Sequence, residues 1–539
     1  MNKESAKTLY SYHTFIFPFT WEINNKARSD RFSFLKKVFN QNERWQCTDL
    51  ENIDSYLQNT NNNIDIRKEL YKSYQYFYPH VRKTIWGSSG TICSDFELKL
   101  PDADESPSYY KITKDEKEYI LIIHSIKVRI VNTGVALFIM ECRYYRDENA
   151  KGSLIEDVKN INDYGRRITL PFLDSATLIT ADKLEVEIPE ITKGTGKFVF
   201  AEDYKAFTDD YISNKNSGLS PDHVTGFIKE LMSGNKYRFT SHKPANEKQI
   251  HITPILDDRM YVAFAVSDKK YVEDISSSAG GFNEDLSKSL YELAYLDHSG
   301  GCSCPDAGMR NKLNDRAIYR RWLPYGTLYT LTEMGCGMVT GEKTDSFLFD
   351  NFQTCYLEMV LIVLTQRVSI VRFTSETAAI AESFSADKQS LNEKSIKKIQ
   401  TLQEQCSAFD SQLRFTAVSS EQQASEMYAM LRDVFELDEE FKGLEGKLSR
   451  LYEIANTDLD MMINSRVNFL TWESIILAFG ALIYSMVGVS DVIIKDETGS
   501  VSALGRIIGL NNGMWVLWAV IMASLILFVS NTLNSKKRR

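Results

Sequence analysis

The strongest constraint on the fold of this 539-residue chain is a long uncharged apolar segment near its C-terminus. No Asp, Glu, Lys or Arg occurs between Ser474 and Ser490. As a helix, residues 470–489 are long enough to cross a hydrocarbon core of about 30 Å. A second apolar segment, 514–533, begins with two tryptophans, a residue type that suits the headgroup interface. The two segments predict a two-helix transmembrane hairpin.

Positive charge next to the second segment predicts the orientation of this hairpin. Residues 534–539 end in Lys-Lys-Arg-Arg, and basic residues beside a span favour the cytoplasmic side. Two spans return the chain to the side on which it started. The sequence therefore predicts a multi-pass membrane protein with both termini cytoplasmic and a short extracytoplasmic loop at 490–513.

One face of the first segment is small or polar, while the rest of it is bulky and apolar. Positions on this face follow one another at alternating steps of three and four, which places them on one side of a helix. They are Asn464, Val467, Thr471, Ser474, Ala478, Ala481, Ser485 and Gly488. The stripe is typical of a pore lining shared by several copies of the chain. It is equally typical of a small-residue face for close helix packing.

The distribution of proline predicts long helices before the spans. All 11 prolines lie between Pro18 and Pro324, and proline breaks helix interiors. We predict a coiled-coil-like helical stalk over 351–469, with a shorter helical run at 355–379 leading into it. Two apolar stripes support it. They are Ile396, Ile399, Leu402, Cys406, Phe409 and Leu413, then Val434, Leu437, Phe441, Leu444, Leu448, Leu451 and Ala455.

Residues 1–350 show mixed α/β patterning and are predicted to form a cytoplasmic ligand-sensing domain. Strand-like runs are predicted at 12–19, 119–124, 126–131, 135–141, 184–188, 197–201 and 261–266. Helices are predicted at 31–39, 64–77, 224–233 and 284–296. Loops are predicted at 102–108, 213–222 and 298–314.

Composition narrows the functional classes. The net charge of −9 argues against direct nucleic-acid binding. The 8 scattered cysteines fit reduced, intracellular thiols. No catalytic arrangement stands out, so the chain is not expected to be an enzyme. A membrane-tethered enzyme remains an alternative in which the spans only anchor.

The organisation of the chain resembles the CorA family of divalent-cation channels. Asn464, Leu470-Thr471 and Gly488 are spaced as in that family's pore helix. The resemblance implies a homo-oligomer, a pentamer, whose first span lines the pore and which handles a divalent cation. The family's Gly-Met-Asn signature would fall on Gly488-Val489-Ser490, where only the glycine is retained. A ring of Asn amides that would hold a hydrated magnesium ion is therefore missing.

Three segments of the soluble region resemble the CorA-like effectors associated with type III CRISPR systems. They are 12–21, 157–173 and 317–332. This resemblance implies an antiviral effector in the bacterial inner membrane. It also implies that a nucleotide second messenger, a conjugate of S-adenosylmethionine and AMP, opens the pore. The alternative is a housekeeping divalent-cation channel gated by its own cation.

Two arginine pairs beside glycine turns are candidate ligand-binding residues. Arg166 and Arg167 follow a glycine, and Arg320, Arg321 and Trp322 precede a Pro-Tyr-Gly turn. Arginine forks bind phosphate bidentately, and an aromatic face can stack on a purine. If the pairs lie on strands, at most one member of each faces the ligand. The alternative is salt bridges, with the tryptophan in the core.

His298, Cys302, Cys304 and Cys336 are the residue types of a zinc site. The C-x-C spacing is tighter than the usual gap between zinc-binding cysteines. Buried reduced cysteines are the preferred interpretation, and no metal ligand is assigned.

Overall fold

The structure is a computed structural model. It describes residues 8–23, 31–48, 75–86, 92–103, 105–146, 152–169, 179–189, 197–206, 224–244, 246–278, 283–386 and 393–493, and the statements below concern these residues. Two compact units are found in the chain. The sheet unit comprises Met1–Thr374 and Gln405–Lys442, and the helical unit comprises Ser375–Glu404 and Gly443–Arg539.

The described strands belong to one sheet. They are β1 Thr8–Ile23, β2 Trp45–Cys47, β3 Cys93–Leu98, β4 Ser108–Lys114, β5 Lys117–Val131, β6 Val135–Arg146, β7 Lys183–Ile188, β8 Phe198–Asp203, β9 Arg238–Thr240, β10 Gln249–Pro254, β11 Tyr261–Ser267, β12 Ile318–Tyr319, β13 Thr327–Leu331 and β14 Gly335–Thr340. Their order is β12-β13-β14-β11-β1-β6-β5-β4-β7-β8, with β10-β9 branching from β1 and β3-β2 from β5. Among the described pairs, β11–β14 and β9–β10 are parallel and the others antiparallel.

The described helices lie between these strands along the chain, and the last five follow β14. They are α1 Arg31–Asn40, α2 Pro79–Trp86, α3 Leu154–Arg166, α4 Gly226–Met232, α5 Lys269–Ser277, α6 Glu284–Ala294, α7 Ala307–Ala317, α8 Phe347–Asn351, α9 Leu357–Ala386, α10 Glu393–Gln412, α11 Gln422–Val434 and α12 Leu437–Ile493. A π-helical turn, Phe352–Tyr356, joins α8 to α9, and a short 3₁₀ turn, Leu323–Tyr325, lies between β12 and β13. The predicted combination of an α/β region with long helices is therefore confirmed.

Strand β1 lies inside the sheet and supplies much of its core. One edge pairs with β6, while the other edge is divided between β11 at residues 11–16 and β10 at residues 19–23. Pro18, which has no N–H to donate, falls between these two partners. Alternate side chains point to one face of a strand, and here that face is aromatic. Phe15, Phe17, Phe19 and Trp21 are buried in one core with α3 and α4.

Most predicted strands are confirmed, with one instructive difference. The runs at 119–124 and 126–131 form a single strand, β5, rather than two. The pairing of β5 with β6 shifts register between Ile123 and Ser125, so the chain has a β-bulge at His124. The alternation of apolar residues changes phase at this bulge, which is why the sequence predicted two strands instead of one.

The predicted loop at 298–314 is wrong in its second half, where α7 begins at Ala307. Asp306 caps this helix, because its side chain accepts a hydrogen bond from the Met309 backbone N–H at 2.7 Å. The helix is polar and has little amphipathic pattern, which explains why periodicity did not predict it. Strands β2, β3, β4, β9, β10, β12, β13 and β14 and helices α2, α3, α5 and α8 were also not predicted.

Most residues of the two apolar stripes of the predicted stalk are helical and buried, although Leu413 follows the end of α10 and the second stripe is divided between α11 and α12. Ile396, Ile399, Leu402, Leu444, Leu448 and Ala455 belong to the helical unit, and each is at most 4% exposed. Cys406, Phe409, Leu413, Val434, Leu437 and Phe441 belong to the sheet unit and are also buried. Leu451 is partly exposed. The periodicity thus predicted both the helices and the faces that they bury.

Within the described residues, one helical stretch, Phe347–Glu382, is long and apolar enough to cross a membrane. Most side chains in the most apolar part of this stretch are buried, as in the core helix of a soluble protein, so the stretch is only weak support for a membrane protein. The predicted first span lies in α12, whose helical backbone continues to Ile493. The predicted second span and tail, the rest of the loop after Ile493, and most of the predicted helix at 64–77 lie outside the described residues.

Candidate functional site

Helix α3 carries the first predicted arginine pair and packs closely on the sheet. Its apolar face is buried, and Glu156 and Asp157 lie in its first turn, where negative charge favours the helix dipole. Near its C-terminus, the Tyr110 hydroxyl donates to the Gly165 carbonyl oxygen at 2.7 Å. A Cβ at Gly165 would lie 2.8 Å from Ile112 Cδ1 and 3.0 Å from Phe15 Cζ, so any larger residue would require these side chains to shift.

Arg166 is the last residue of α3 and Arg167 is its C-cap, so the one-member limit that a strand would impose on this pair does not apply. Glycine before two arginines suggested a turn, but here it continues the helix. Residues three and four apart share a helix face, so Asn162, Asp163, Arg166 and Arg167 can form one polar cluster. A cation at the helix C-terminus also favours the dipole.

Asp163 is the centre of this polar cluster. Its buried carboxylate accepts from Arg167 Nε at 2.7 Å, from His298 Nδ1 at 2.9 Å and from the His298 backbone N–H at 3.2 Å. Burial alone would raise the pKa of Asp163, but the His298 hydrogen bond and the charges of Arg167 and Arg166 together lower it. The hydrogen bond to Asp163 raises the pKa of His298 against the effect of burial. The two groups therefore favour an ion pair.

Asn162 links α3 to the central strand through a buried histidine. His13 Nδ1 lies 2.7 Å from Asn162 Oδ1, and His13 Nε2 lies 2.9 Å from Ser11 Oγ. The amide oxygen can only accept, which assigns the proton to Nδ1. Burial lowers the pKa of His13 to about 4, so the ring is neutral at pH 7.

Arg166 is buried, at 2% exposure, with its donors incompletely used. Its Nη2 donates to Met334 Sδ at 3.7 Å, a weak acceptor, and its Nε lies 3.9 Å from Asp163 Oδ1, too far for a hydrogen bond. Arg166 Nε and Asn162 Nδ2 have no hydrogen-bond partner among the described residues. Burial lowers the pKa of Arg166 to about 10, which leaves it charged at pH 7. Such unmet buried donors fit an anionic ligand.

Two adjacent carboxyl groups border the cluster before β11. Asp258 accepts from Thr169 Oγ1 at 3.0 Å, and Asp257 accepts from Arg259 Nε at 2.7 Å. Burial and the neighbouring Asp257 raise the pKa of Asp258. The backbone N–H of Met260 donates to the Arg166 carbonyl oxygen at 2.9 Å, which fixes this segment beside α3.

The second predicted pair lies at the other end of β13. Arg320 and Arg321 are exposed and pair with acidic residues, Arg320 Nη2 with Asp315 and Arg321 Nη1 with Glu426, each at 2.5 Å. Trp322 is half-buried, and its Nε1 donates to Gln423 Oε1 at 2.6 Å. The salt-bridge alternative therefore describes these two arginines in the structure, while the tryptophan is not in the core.

The structure does not bring the two pairs into one site. Arg166 contacts Met334, which follows the end of β13, whereas Arg320 precedes the start of β13. A five-residue strand rises about 3.4 Å per residue, so the pairs are on the order of 15 Å apart. Only the Arg166 pair joins a buried polar cluster, and we refer to Asp163, Arg166, Arg167, Asn162 and His298 as the α3 cluster.

Sequence reasoning missed three members of this region. His298 was considered only as a zinc ligand, and His13 and Asp163 were not singled out. If the segment is treated as a helix, the spacing of Asn162, Asp163 and Arg166 places all three on one polar face, so this part of the cluster could have been predicted.

The cysteines beside His298 make local contacts. Cys302 Sγ donates to the Cys304 carbonyl oxygen at 3.4 Å, and burial raises the pKa of Cys336, in β14, to about 12. No group of three or more His, Cys, Asp or Glu side chains is arranged to hold a metal ion in the part of the chain that the structure describes.

All members of the predicted pore stripe lie on α12. Those from Asn464 to Ser485 are exposed, Val467 at 51%. The Thr471 hydroxyl donates to the Val467 carbonyl oxygen, and the Ser474 hydroxyl to the Leu470 carbonyl oxygen, each at 2.8 Å. Both hydroxyls are therefore satisfied within the helix.

Comparison with known proteins supplies no relative: no family model matches the chain, and no curated protein or solved structure gives a significant match.

Proposed function

We propose that this chain is a ligand-gated membrane ion channel of the CorA type, a homo-oligomer, with a pentamer as the expected form, and not an enzyme. In this proposal, an S-adenosylmethionine–AMP conjugate binds the sheet unit. Opening then disrupts the ion balance across the bacterial inner membrane as an antiviral response. The observation that carries the proposal is the exposed apolar surface of α12.

The second half of α12 presents bulky apolar side chains to its surroundings. Six of them are between 43% and 66% exposed: Leu470, Trp472, Ile475, Leu477, Phe479 and Leu482. Fully burying one such side chain is worth roughly 1.5–3 kcal/mol, so six left in water forgo on the order of 10 kcal/mol. A helix that is hydrophobic around most of its circumference belongs in lipid or against other chains.

The stripe on α12 supports a conducting role for this helix. If several copies face a common axis, Thr471 and Ser474 line a narrow polar path with hydroxyls that need no further partner. Val467 precedes them and supplies an apolar ring, and such rings can close a pore by dewetting. The same helix would expose its bulky residues to lipid.

The α3 cluster supports a ligand role for the sheet unit. Arg166 retains an unmet donor at a buried, positively charged position, and phosphate accepts from such a fork. A ligand opens the channel only if it binds the open state more tightly. Moving a 1:99 equilibrium to 99:1 requires about 5.5 kcal/mol of differential binding.

Ion flux in liposomes tests the channel. We expect flux from reconstituted protein to rise with the S-adenosylmethionine–AMP conjugate, and Val467→Ser to conduct without it. Ile476→Ser, on the opposite side of α12, is the matched control and should stay ligand-dependent. Flux that responds to magnesium alone would favour the housekeeping divalent-cation channel, and no flux under any condition would refute both.

Calorimetric titration tests the ligand site separately. Arg166→Lys keeps the charge but removes the fork, so we expect it to weaken binding of the conjugate by roughly 10-fold or more. Arg238→Ala, at an exposed position in β9, removes an arginine elsewhere and is the control. Unchanged affinity in Arg166→Lys and Arg166→Ala would remove this residue from the site.

A further inference from the structure

A groove of about 500 Å³ opens on the sheet unit, lined by residues that the α3 cluster does not include. Its polar lining comes from the end of β3 and the following segment, with Glu97, Lys99 and Asp102, and from β5 and β6, with His124 and Arg143. Leu98, Leu100 and Pro101 form an apolar part of the wall. Pockets of this size are typical of small-molecule sites.

The β-bulge described above places His124 in this groove. At a bulge the extra residue leaves the regular pairing and its side chain is re-aimed, and bulges are over-represented next to active sites. Here the register shift between Ile123 and Ser125 leaves His124 without a cross-strand partner in β6. The bulge brings the imidazole to Arg143, whose Nη2 lies 3.3 Å from His124 Nε2.

Arg143 differs from the other cations on this side of the sheet. Arg129 pairs with Asp95 and Glu358, and Lys127 pairs with Glu141. Arg143 forms no ion pair with a carboxylate in the described part of the chain, although its Nε is buried and has no hydrogen-bond partner. Its guanidinium lies 5.4 Å from the centroid of the Tyr12 ring, which holds it in place.

Two other charged side chains of the lining, Lys99 and Glu97, interact with groups beside the groove. Lys99 Nζ donates to the Glu43 carbonyl oxygen at 2.9 Å. Glu97 lies close enough to Lys127 to raise the pKa of that lysine, together with Glu141. Lys99 and Glu97 thus interact with groups outside the groove lining, whereas the Arg143 guanidinium keeps a buried donor, its Nε, that is unused among the described residues.

His124 adds a ring N–H to the groove lining. Burial, and then the charge of Arg143, lower the pKa of His124, so the ring is neutral at pH 7. Its Nε2 accepts from Arg143, which assigns the ring proton to Nδ1. An oxyanion could accept from both side chains.

We propose that this groove binds a small molecule through its oxyanion, with the Arg143 fork as the anchor and His124 as a second donor. A phosphate or a carboxylate satisfies this chemistry, and the apolar wall accommodates the rest of the molecule. The volume is sufficient for a mononucleotide. The proposal depends neither on channel activity nor on the α3 cluster.

Binding of simple probes to the purified full-length protein tests the proposal. AMP, inorganic phosphate, citrate and adenosine are titrated by calorimetry, so that phosphate, carboxylate and base contributions separate. We expect AMP or citrate to bind and adenosine not to bind. Arg143→Ala should weaken the binding roughly 10- to 100-fold, since hydrogen bonds to charged groups are lost.

Two further groove variants, Arg143→Lys and His124→Gln, keep the test decisive if Arg143→Ala fails to fold, and Arg238→Ala is the charge-matched control for Arg143→Ala. Arg143→Lys keeps the charge and should bind several-fold more weakly, while His124→Gln should weaken binding less. Arg238→Ala makes the same change in net charge outside the groove and should bind as the wild type does. Binding unaffected by Arg143 and His124 variants, binding of adenosine alone, or no binding at millimolar probe would each overturn the proposal. Loss of AMP binding in Arg166→Lys alone would overturn it while supporting the α3 cluster.

Discussion

His13 should make the sheet unit sensitive to mild acid. Its ring is fully buried on β1, and burial lowers its pKa to about 4. In the unfolded chain a histidine titrates near 6.5. The unfolded state therefore binds more protons below this value, and stability is lost as the pH falls from about 6.5 toward 4.

The size of this effect follows from the two pKa values. Between pH 7 and pH 5, protonation of the unfolded chain at this one site removes about 2 kcal/mol of the free energy of unfolding. The full difference, reached below pH 4, is on the order of 3 kcal/mol. His13→Gln keeps a group that can hydrogen-bond to Asn162 but does not titrate, so it should lose about 2 kcal/mol less than the wild type over that range.

Thermal and urea unfolding of both proteins at pH 7 and pH 5 measure this difference. His242→Gln, at an exposed position, is the matched control and should follow the wild type. A ¹H–¹⁵N titration of the imidazole reports the His13 pKa directly. If wild type and His13→Gln lose the same stability between pH 7 and pH 5, His13 is not the buried neutral group inferred here.

Two further perturbations address the α3 region. Gly165→Ala should destabilise the protein by about 1 kcal/mol, because a Cβ would lie 2.8 Å from Ile112 Cδ1. Gly443→Ala is the control: a Cβ there has no neighbour within 4 Å, so the substitution should stabilise the protein by up to about 1 kcal/mol. Melting temperatures of both variants measure the difference. His298→Gln should be most destabilising between about pH 4 and 6.5. In stronger acid the stabilisation by the ion pair is lost because Asp163, whose pKa is lowered in the folded protein, becomes protonated. Above this range it is lost because His298, whose pKa is raised, loses its proton. His298 is 41% exposed, so solvent screening limits the effect to about 1 kcal/mol, and an equal loss at pH 5 and pH 9 would contradict the ion pair.

Periodicity predicted the parts of the fold that depend on one buried face. The stripes containing Ile399 and Phe441 and the aromatic face of β1 are examples, because burial imposes a regular spacing on the sequence. Strand β14 was missed because it contains two glycines, which weaken a strand signal. A Cβ at Gly337 would lie 2.2 Å from Phe264, so this glycine is required by a neighbouring strand that the local sequence does not reveal.

The candidate site was predictable only in part, because its members also come from segments that are distant in the sequence. Arg166 was selected for its chemistry, but its surroundings come from distant segments. His13 and Asn162 are 149 residues apart, and Asp163 and His298 are 135 apart. Local spacing cannot indicate such pairs. The groove at Arg143 likewise depends on a bulge whose sequence signal was a change of phase at His124.

The position of β1 has a consequence for biosynthesis. This strand leaves the ribosome before the other described strands, yet its partners on one edge are β10 and β11, the latter ending at Ser267. At about 5–20 residues per second, roughly 13 to 50 seconds pass before that edge can be covered. During this interval an aromatic strand with a single acidic residue, Glu22, has one unpaired edge in the nascent chain, where it can pair with other chains. Slow translation or limited chaperone supply should therefore lower the yield of this protein before any later step does.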